Sequence, residues 1–239
     1  RPPRPASPPE EGARRGGPLR VSPTERAVAV FERLDPLYPD KRPLLEYESP
    51  YQLLIAVILS AQTTDAQVNR VTPELFRRYP TPHALSAADP ADIEALVFPT
   101  GFYRSKAKNI RAAARSLAED HRGEVPQTME ALTRMPGVGR KTANVLLGVL
   151  YGKPSVVVDT HFSRVVRRIG FTEATQPDRI EREMADIVPE EIRTAFSMCI
   201  NFHGRYVCTA RSPRCYECPI ALLCLFEPKT TGGTDQQVP

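Results

Sequence analysis

Four of the five cysteines fall within 17 residues, in "CTARSPRCYECPIALLC", as Cys208, Cys215, Cys218 and Cys224 spaced C-x6-C-x2-C-x5-C. Thiols this close point to a metal centre, because no secretory h-region opens the sequence and structural disulfides are rare inside cells. Four thiolates suit structural zinc or an iron–sulfur cluster. Spacing alone leaves both open, with zinc the commoner structural metal. Cys199, in "SMCINF", lies on an apolar helix face and reads as a small buried hydrophobe.

A second pattern is "RMPGVGRKTA", Arg134 to Ala143, a tight turn ahead of an apolar helix. Gly137 and Gly139 keep Cβ atoms away from the turn, so its N–H groups can point outward at the positive end of a helix. Such amides suit a phosphate oxygen and fix position without reading sequence. Taken alone, a glycine-cornered hairpin with no ligand is the commoner reading. Arg140 and Lys141 stand at the mouth of that helix. Its dipole and apolar surroundings disfavour the ammonium form of Lys141, and a neutral amine is what a Schiff-base nucleophile needs. Asp159 follows 18 residues later in "VVVDTH". It is either a helix N-cap or a catalytic acid/base; taken alone the cap is the better reading, although Thr160 can also do that job. His161 reads as a local hydrogen-bond partner.

The elements that must position these groups read as helices throughout. Ser22, Pro23 and Glu25 form a capping box ahead of "SPTERAVAVFERL". Ser49, Pro50 and Gln52 repeat the device ahead of a strongly apolar run, and Asp89 precedes Pro90. Apolar periodicity continues through "SKAKNIRAAARSLAEDH", "TMEALTRM", "THFSRVVRRIG", "QPDRIEREMADIV" and "PEEIRTAFSMCINFHG". Only "SVVVD" reads as strand, too short to build a sheet. The expected fold is all-α, with about ten short helices. The termini, "RPPRPASPPEEGARRGGPLR" and "EPKTTGGTDQQVP", carry too few large apolar residues to offset ordering and are expected to be disordered. The 239 residues carry a net charge of +4. That permits a polyanionic partner without demanding one. No apolar run reaches the length of a membrane span.

"LTRMPGVGRKTANVLLGVLYGKPSVVVDTHFSRVVRRIG" closely resembles the hairpin and Asp loop of the endonuclease III family of DNA glycosylases. "ILSAQTTD" (Ile58 to Asp65) and "TGFYRSKAKNI" (Thr100 to Ile110) resemble two more of its signatures, and the cysteine spacing is that of its iron–sulfur loop. The resemblance runs from Ser22 to Glu227 with the motifs in the family's order.

It implies two helical domains: a six-helix barrel with the helix-hairpin-helix over residues 42–153, and an iron–sulfur domain from 22–41 and 154–227, with tails at 1–21 and 228–239. It implies a [4Fe-4S] cluster on Cys208, Cys215, Cys218 and Cys224 in place of zinc. Lys141 and Asp159 match the family's catalytic pair. Gln62 and Phe102 match the positions that enter the duplex, where the family more often has an aliphatic residue than Phe102. Gly137, Gly139 and Arg140 are expected at the DNA backbone, joined by Arg211 and Arg214 in the loop between the first two cysteines, for which no intramolecular purpose is evident. The implied partner is double-stranded DNA with damaged bases or abasic sites, met inside the cell by a monomer with no membrane contact. The implied activity is removal of oxidised pyrimidines with strand cutting. A monofunctional adenine glycosylase would lack Lys141, a pure DNA-binding module would not need Lys141 and Asp159, and an electron-transfer protein would need neither. Lys106 and Lys153 are the reserve amines should Lys141 not be the nucleophile.

Overall fold

The computed structural model describes residues 21–231. The tail expected over residues 1–21 therefore lies outside the described residues except for Val21, as does the C-terminal tail beyond residue 231. Eleven α-helices occur among the described residues: α1 (Pro23–Leu34), α2 (Pro50–Leu59), α3 (Asp65–Arg78), α4 (Pro82–Ala87), α5 (Pro90–Val97), α6 (Tyr103–Asp120), α7 (Met129–Arg134), α8 (Arg140–Tyr151), α9 (Thr160–Ile169), α10 (Pro177–Ile187) and α11 (Glu190–Tyr206). Their starts follow local chemistry. Side chains of Ser22, Ser49, Thr64, Thr81, Asp89 and Thr128 accept a first-turn N–H at the starts of α1, α2, α3, α4, α5 and α7, each cap contributing about 1 kcal/mol.

Two hydrophobic cores organise the helices. One is built around α2, whose residues from Leu53 to Leu59 are all buried, against Leu75, Ile110, Leu117 and Leu146. The other joins Ala27, Val30 and Leu34 of α1 to Phe162 and Val166 of α9, Met184 of α10, and Phe196 and Ile200 of α11. The chain thus leaves the second core after α1, builds the first, and returns.

The return passes through "SVVV". It is extended but joins no sheet; among the described residues there is no strand. Helix α11 takes the place of a neighbouring strand. Ser155 N–H donates to Thr194 Oγ1 at 3.1 Å, and Val157 N–H to Ser197 Oγ at 2.8 Å. Val156 and Val158 face the second core. Val157 faces a pocket beside Lys141 and Asp159. The alternation of an extended segment survives without a sheet.

The C-terminal segment is docked further than composition suggested. Thr230 Oγ1 accepts from the Cys215 N–H at 3.0 Å and donates to the Pro213 carbonyl, so residues up to 230 pack on the cysteine loop.

The turn before α8 is fixed by Gly137, with φ at +77° and a Cβ position only 3.0 Å from both Asn109 Cβ and Ile58 Cγ2. Gly137→Ala should therefore destabilise the fold by about 1–3 kcal/mol, the cost of a strained backbone conformation, with crowding in addition. Thermal denaturation would register it as a lowered Tm. Gly139, where an added Cβ meets nothing within 4 Å, should accept Ala with little loss.

Candidate active site

Helices α8 and α9 direct their N-termini into one open cleft, lined by Lys141 from the first turn of α8 and by Asp159, Thr160 and His161 at the start of α9. A second pocket, which also contains Lys141 and Asp159, runs inward past Val157, Asn201 and Arg205. The amine and the carboxylate therefore share a site. Lys141 is exposed, against the expectation of apolar surroundings. The buried face of α8 is the one carrying Ala143, Asn144, Leu146 and Leu147, so the protein alone does not strip water from the amine.

Asp159, not Thr160, caps α9. Its Oδ1 accepts the Phe162 N–H at 2.7 Å. The residue is thus both helix cap and site carboxylate, because only one oxygen is needed for the cap. The other, Oδ2, accepts from Asn201 Nδ2 at 2.5 Å. Asn201 Oδ1 in turn accepts from Arg205 Nε at 2.9 Å, and Arg205 Nη1 pairs with Asp65 at 3.0 Å. This polar chain runs from α9 through α11 to the start of α3. Asn201 and Arg205 are invisible to motif reasoning, since nothing in "CINFHGRY" marks them until α11 packs against Asp159.

Three more cations, Arg164, Arg167 and Arg168, line the cleft from α9. Their spacing of three and four residues places them on one helical face, a signal the sequence does carry. His161 behaves as expected, with Nδ1 3.2 Å from Arg164 Nη2. Counting Lys141 and Arg205, five cations face the cleft against the carboxylates of Asp159 and Glu227, a field suited to a polyanion.

Helix α8 has no side-chain cap at Gly139, so the first-turn N–H groups are free to meet a ligand. Arg140 is less free. Its guanidinium makes a bidentate pair with Glu181 of α10, both contacts at 2.8 Å. Gln62 and Phe102 are exposed, Phe102 by 68%. Both hold left-handed backbone, with φ of 54° and 48°, a strained state that persists where surrounding structure enforces it. Arg214 does have intramolecular partners, contrary to expectation: the Tyr206 carbonyl and, at 2.9 Å, Glu217. Its side chain stiffens the loop. Arg211 is exposed and has no partner among the described residues.

Cys208, Cys215, Cys218 and Cys224 line one cavity, while Cys199 lies fully buried elsewhere in the second core. No three Cys, His, Asp or Glu side chains among the described residues converge closely enough to hold a single ion. Four thiols lining one cavity are a donor set for four-thiolate zinc or for a cluster whose thiolates bind separate irons. Donors are in place around the sulfurs: Arg168 Nη1 lies 3.3 Å from Cys208 Sγ. Burial pushes the Cys218 thiol up to about 11, a cost that a bound cationic centre reverses. His203 lies 3.4 Å from both Cys218 Sγ and the Tyr38 hydroxyl, and burial pushes it down to about 4. It is neutral, so Tyr38 can donate to Nδ1 while Nε2–H faces the sulfur. Lys106 and Lys153 do not line the cleft; Lys153 Nζ donates to the Gln127 carbonyl.

With this geometry in hand, comparisons place the chain among known proteins. Residues 55–190 match the model of the HhH-GPD superfamily base excision DNA repair proteins. The chain is 50% identical to endonuclease III of Synechocystis over 85% of its length and 94% of that protein. It is 40% identical to endonuclease III of Escherichia coli K12 over 85% and 97%. A solved structure of a trapped endonuclease III–DNA covalent intermediate, an estranged-adenine complex, superimposes with a TM-score of 0.80 at 40% identity, covering 84% of this chain and 95% of that one.

The double role of Asp159 predicts how its variants divide. Asp159→Asn retains an oxygen for the Phe162 N–H but sets its own amide against the Asn201 amide, and should lower the melting temperature by less than Asp159→Ala. Asp159→Ala removes the cap and strands the Asn201 amide, and should cost about 1–3 kcal/mol in chemical denaturation.

Proposed function

The chain belongs to the endonuclease III family of the HhH-GPD superfamily, and from that premise we propose that it is a DNA N-glycosylase and abasic-site lyase of base excision repair, acting on oxidised pyrimidines in duplex DNA. The observation that carries this reading is the shared cleft: a free amine on α8 and a carboxylate fixed by α9 and Asn201, ringed by arginines. The two hydrophobic cores support a division into a barrel domain over 42–153 and a second domain from 22–41 and 154–227.

In the proposed reaction, the uncapped amides of α8 and Arg167 of α9 hold the phosphate backbone, while Arg164 and Arg168, bonded to carbonyls of α11 and the cysteine loop, add positive charge. Arg211 adds a further phosphate contact, whereas Arg140 joins only in competition with Glu181. The damaged nucleotide leaves the stack, at a cost of a few kcal/mol, and Gln62 and Phe102 fill the gap. Lys141 Nζ attacks C1′ as the base departs. Asp159 stabilises the positive charge developing on the sugar and accepts the amine proton. Breaking of the C1′–O4′ bond, with a proton taken up by O4′, turns this adduct into an imine that acidifies the C2′ protons, and β-elimination breaks the 3′ C–O bond. The enzyme works where the DNA is, as a monomer.

The cysteine cavity fits a [4Fe-4S] cluster held by Cys208, Cys215, Cys218 and Cys224, which supplies a rigid cross-link for the C-terminal loop. Elemental analysis of the purified protein should give about four irons per chain. Cys218→Ser should lower iron and soluble yield, and Cys199→Ser should change neither. One zinc and no iron would rule the cluster out.

Borohydride should trap a protein–DNA adduct on duplexes carrying one oxidised pyrimidine. Lys141→Ala should abolish the adduct and retain DNA binding. Asp159→Asn should slow the reaction by roughly two to four orders of magnitude. An adduct of undiminished yield with Lys141→Ala would move the nucleophile elsewhere.

A further inference from the structure

Lys106 is a charged side chain that the proposed chemistry leaves unused. It sits in α6 and is only 4% exposed. No acidic side chain neutralises it among the described residues. Its Nζ donates to Thr63 Oγ1 at 2.6 Å and to the Thr100 carbonyl at 2.8 Å. Thr63 Oγ1 donates to that same carbonyl. Burial pushes the ammonium down from its ordinary range. An ammonium withdrawn from water with only a hydroxyl and a carbonyl for company is a costly element.

Its position suggests what it secures. Thr63 adjoins Gln62, and Thr100 lies two residues before Phe102, the pair of exposed residues with left-handed backbone. Their loops are separated by some 40 residues of chain and share no backbone–backbone hydrogen bond among the described residues. The loop at Thr100 is anchored in turn, because Thr100 Oγ1 donates to the Val97 carbonyl at 2.7 Å. The Lys106–Thr63–Thr100 knot is thus a polar link between the two loops, made by residues one and two positions from the strained pair.

We propose that Lys106 is a positioning residue that holds the Gln62 and Phe102 loops at a fixed separation, so that both side chains enter the duplex together. This rests on the reading of Gln62 and Phe102 as the residues that fill the vacated stack. A purely local role, capping the Thr100 carbonyl to stabilise the start of α6, is the competing account. It predicts a loss shared by every substrate.

The test compares two substrates: a duplex with one oxidised pyrimidine, and a single strand with a preformed abasic site, which has no stack to enter. Lys106→Met keeps the apolar stem and removes the ammonium. Duplex excision under single-turnover conditions should fall by about 10- to 100-fold, as for misplacement of a positioned group, while cutting of the single strand stays within about twofold. Because Lys106 acts through Gln62 and Phe102, adding Lys106→Met to the Gln62→Ala/Phe102→Ala double variant should slow the duplex reaction no further. Thr63→Val, which leaves the cation its carbonyl partner and perturbs the fold least, should show the same substrate selectivity at smaller amplitude. Equal losses on both substrates, or a further loss when Lys106→Met is added to the double variant, would overturn the proposal. A wild-type protein that excises nothing from the duplex would instead sink the proposed function, and this inference with it.

Discussion

The carboxylate of Asp159 is shared between a helix and a neighbouring chain of donors. One oxygen closes the first turn of α9 and the other is held by Asn201. An ionised carboxylate only accepts hydrogen bonds, so two opposed donors fix its plane as well as its position. Through Asn201 and Arg205 the same chain reaches Asp65, at the start of α3. Residues on helices of both cores are thereby tied to one carboxylate, and the cleft lies at their junction. The unpaired extended segment of residues 155–158 delivers Asp159 there, and hydroxyls of α11 hold that segment in place of a sheet.

Among the described residues seven helices begin under a side-chain cap, whereas α6, α8, α10 and α11 begin with none. Two of the three non-glycine residues with positive φ among the described residues are Gln62 and Phe102, and they depart from the local backbone preferences that most of the described chain keeps. Lys106 braces the two loops, and Gly137 lets the hairpin turn close against Asn109 and Ile58.

Much of this was legible in the chain itself. Helix class, capping residues and the cysteine quartet depend on residues close in sequence, where propensity and spacing act directly. The motif positions Gln62, Phe102, Lys141 and Asp159 could be marked, and the structure assigns the last two to one cleft. Two environments were misjudged: Lys141 is exposed and Arg214 has an acidic partner. In each case the deciding neighbour is a carboxylate, a carbonyl or an exposed helix face, none of which leaves a periodic trace.

The sequence by itself determined the helices, the turn that leaves α8 open, the identity of the amine and carboxylate, and four thiols near enough to share one centre. Only the tertiary structure decided what each charge meets: Glu181 for Arg140, Asn201 for Asp159, and Thr63 with the Thr100 carbonyl for Lys106. The first set follows from interactions within about four residues, the reach of a helical turn and its cap. The second set joins residues 41 to 43 positions apart, with the Thr100 carbonyl, 6 positions from Lys106, the local exception. Such pairings exist only once two cores have packed and brought the donors within hydrogen-bond range.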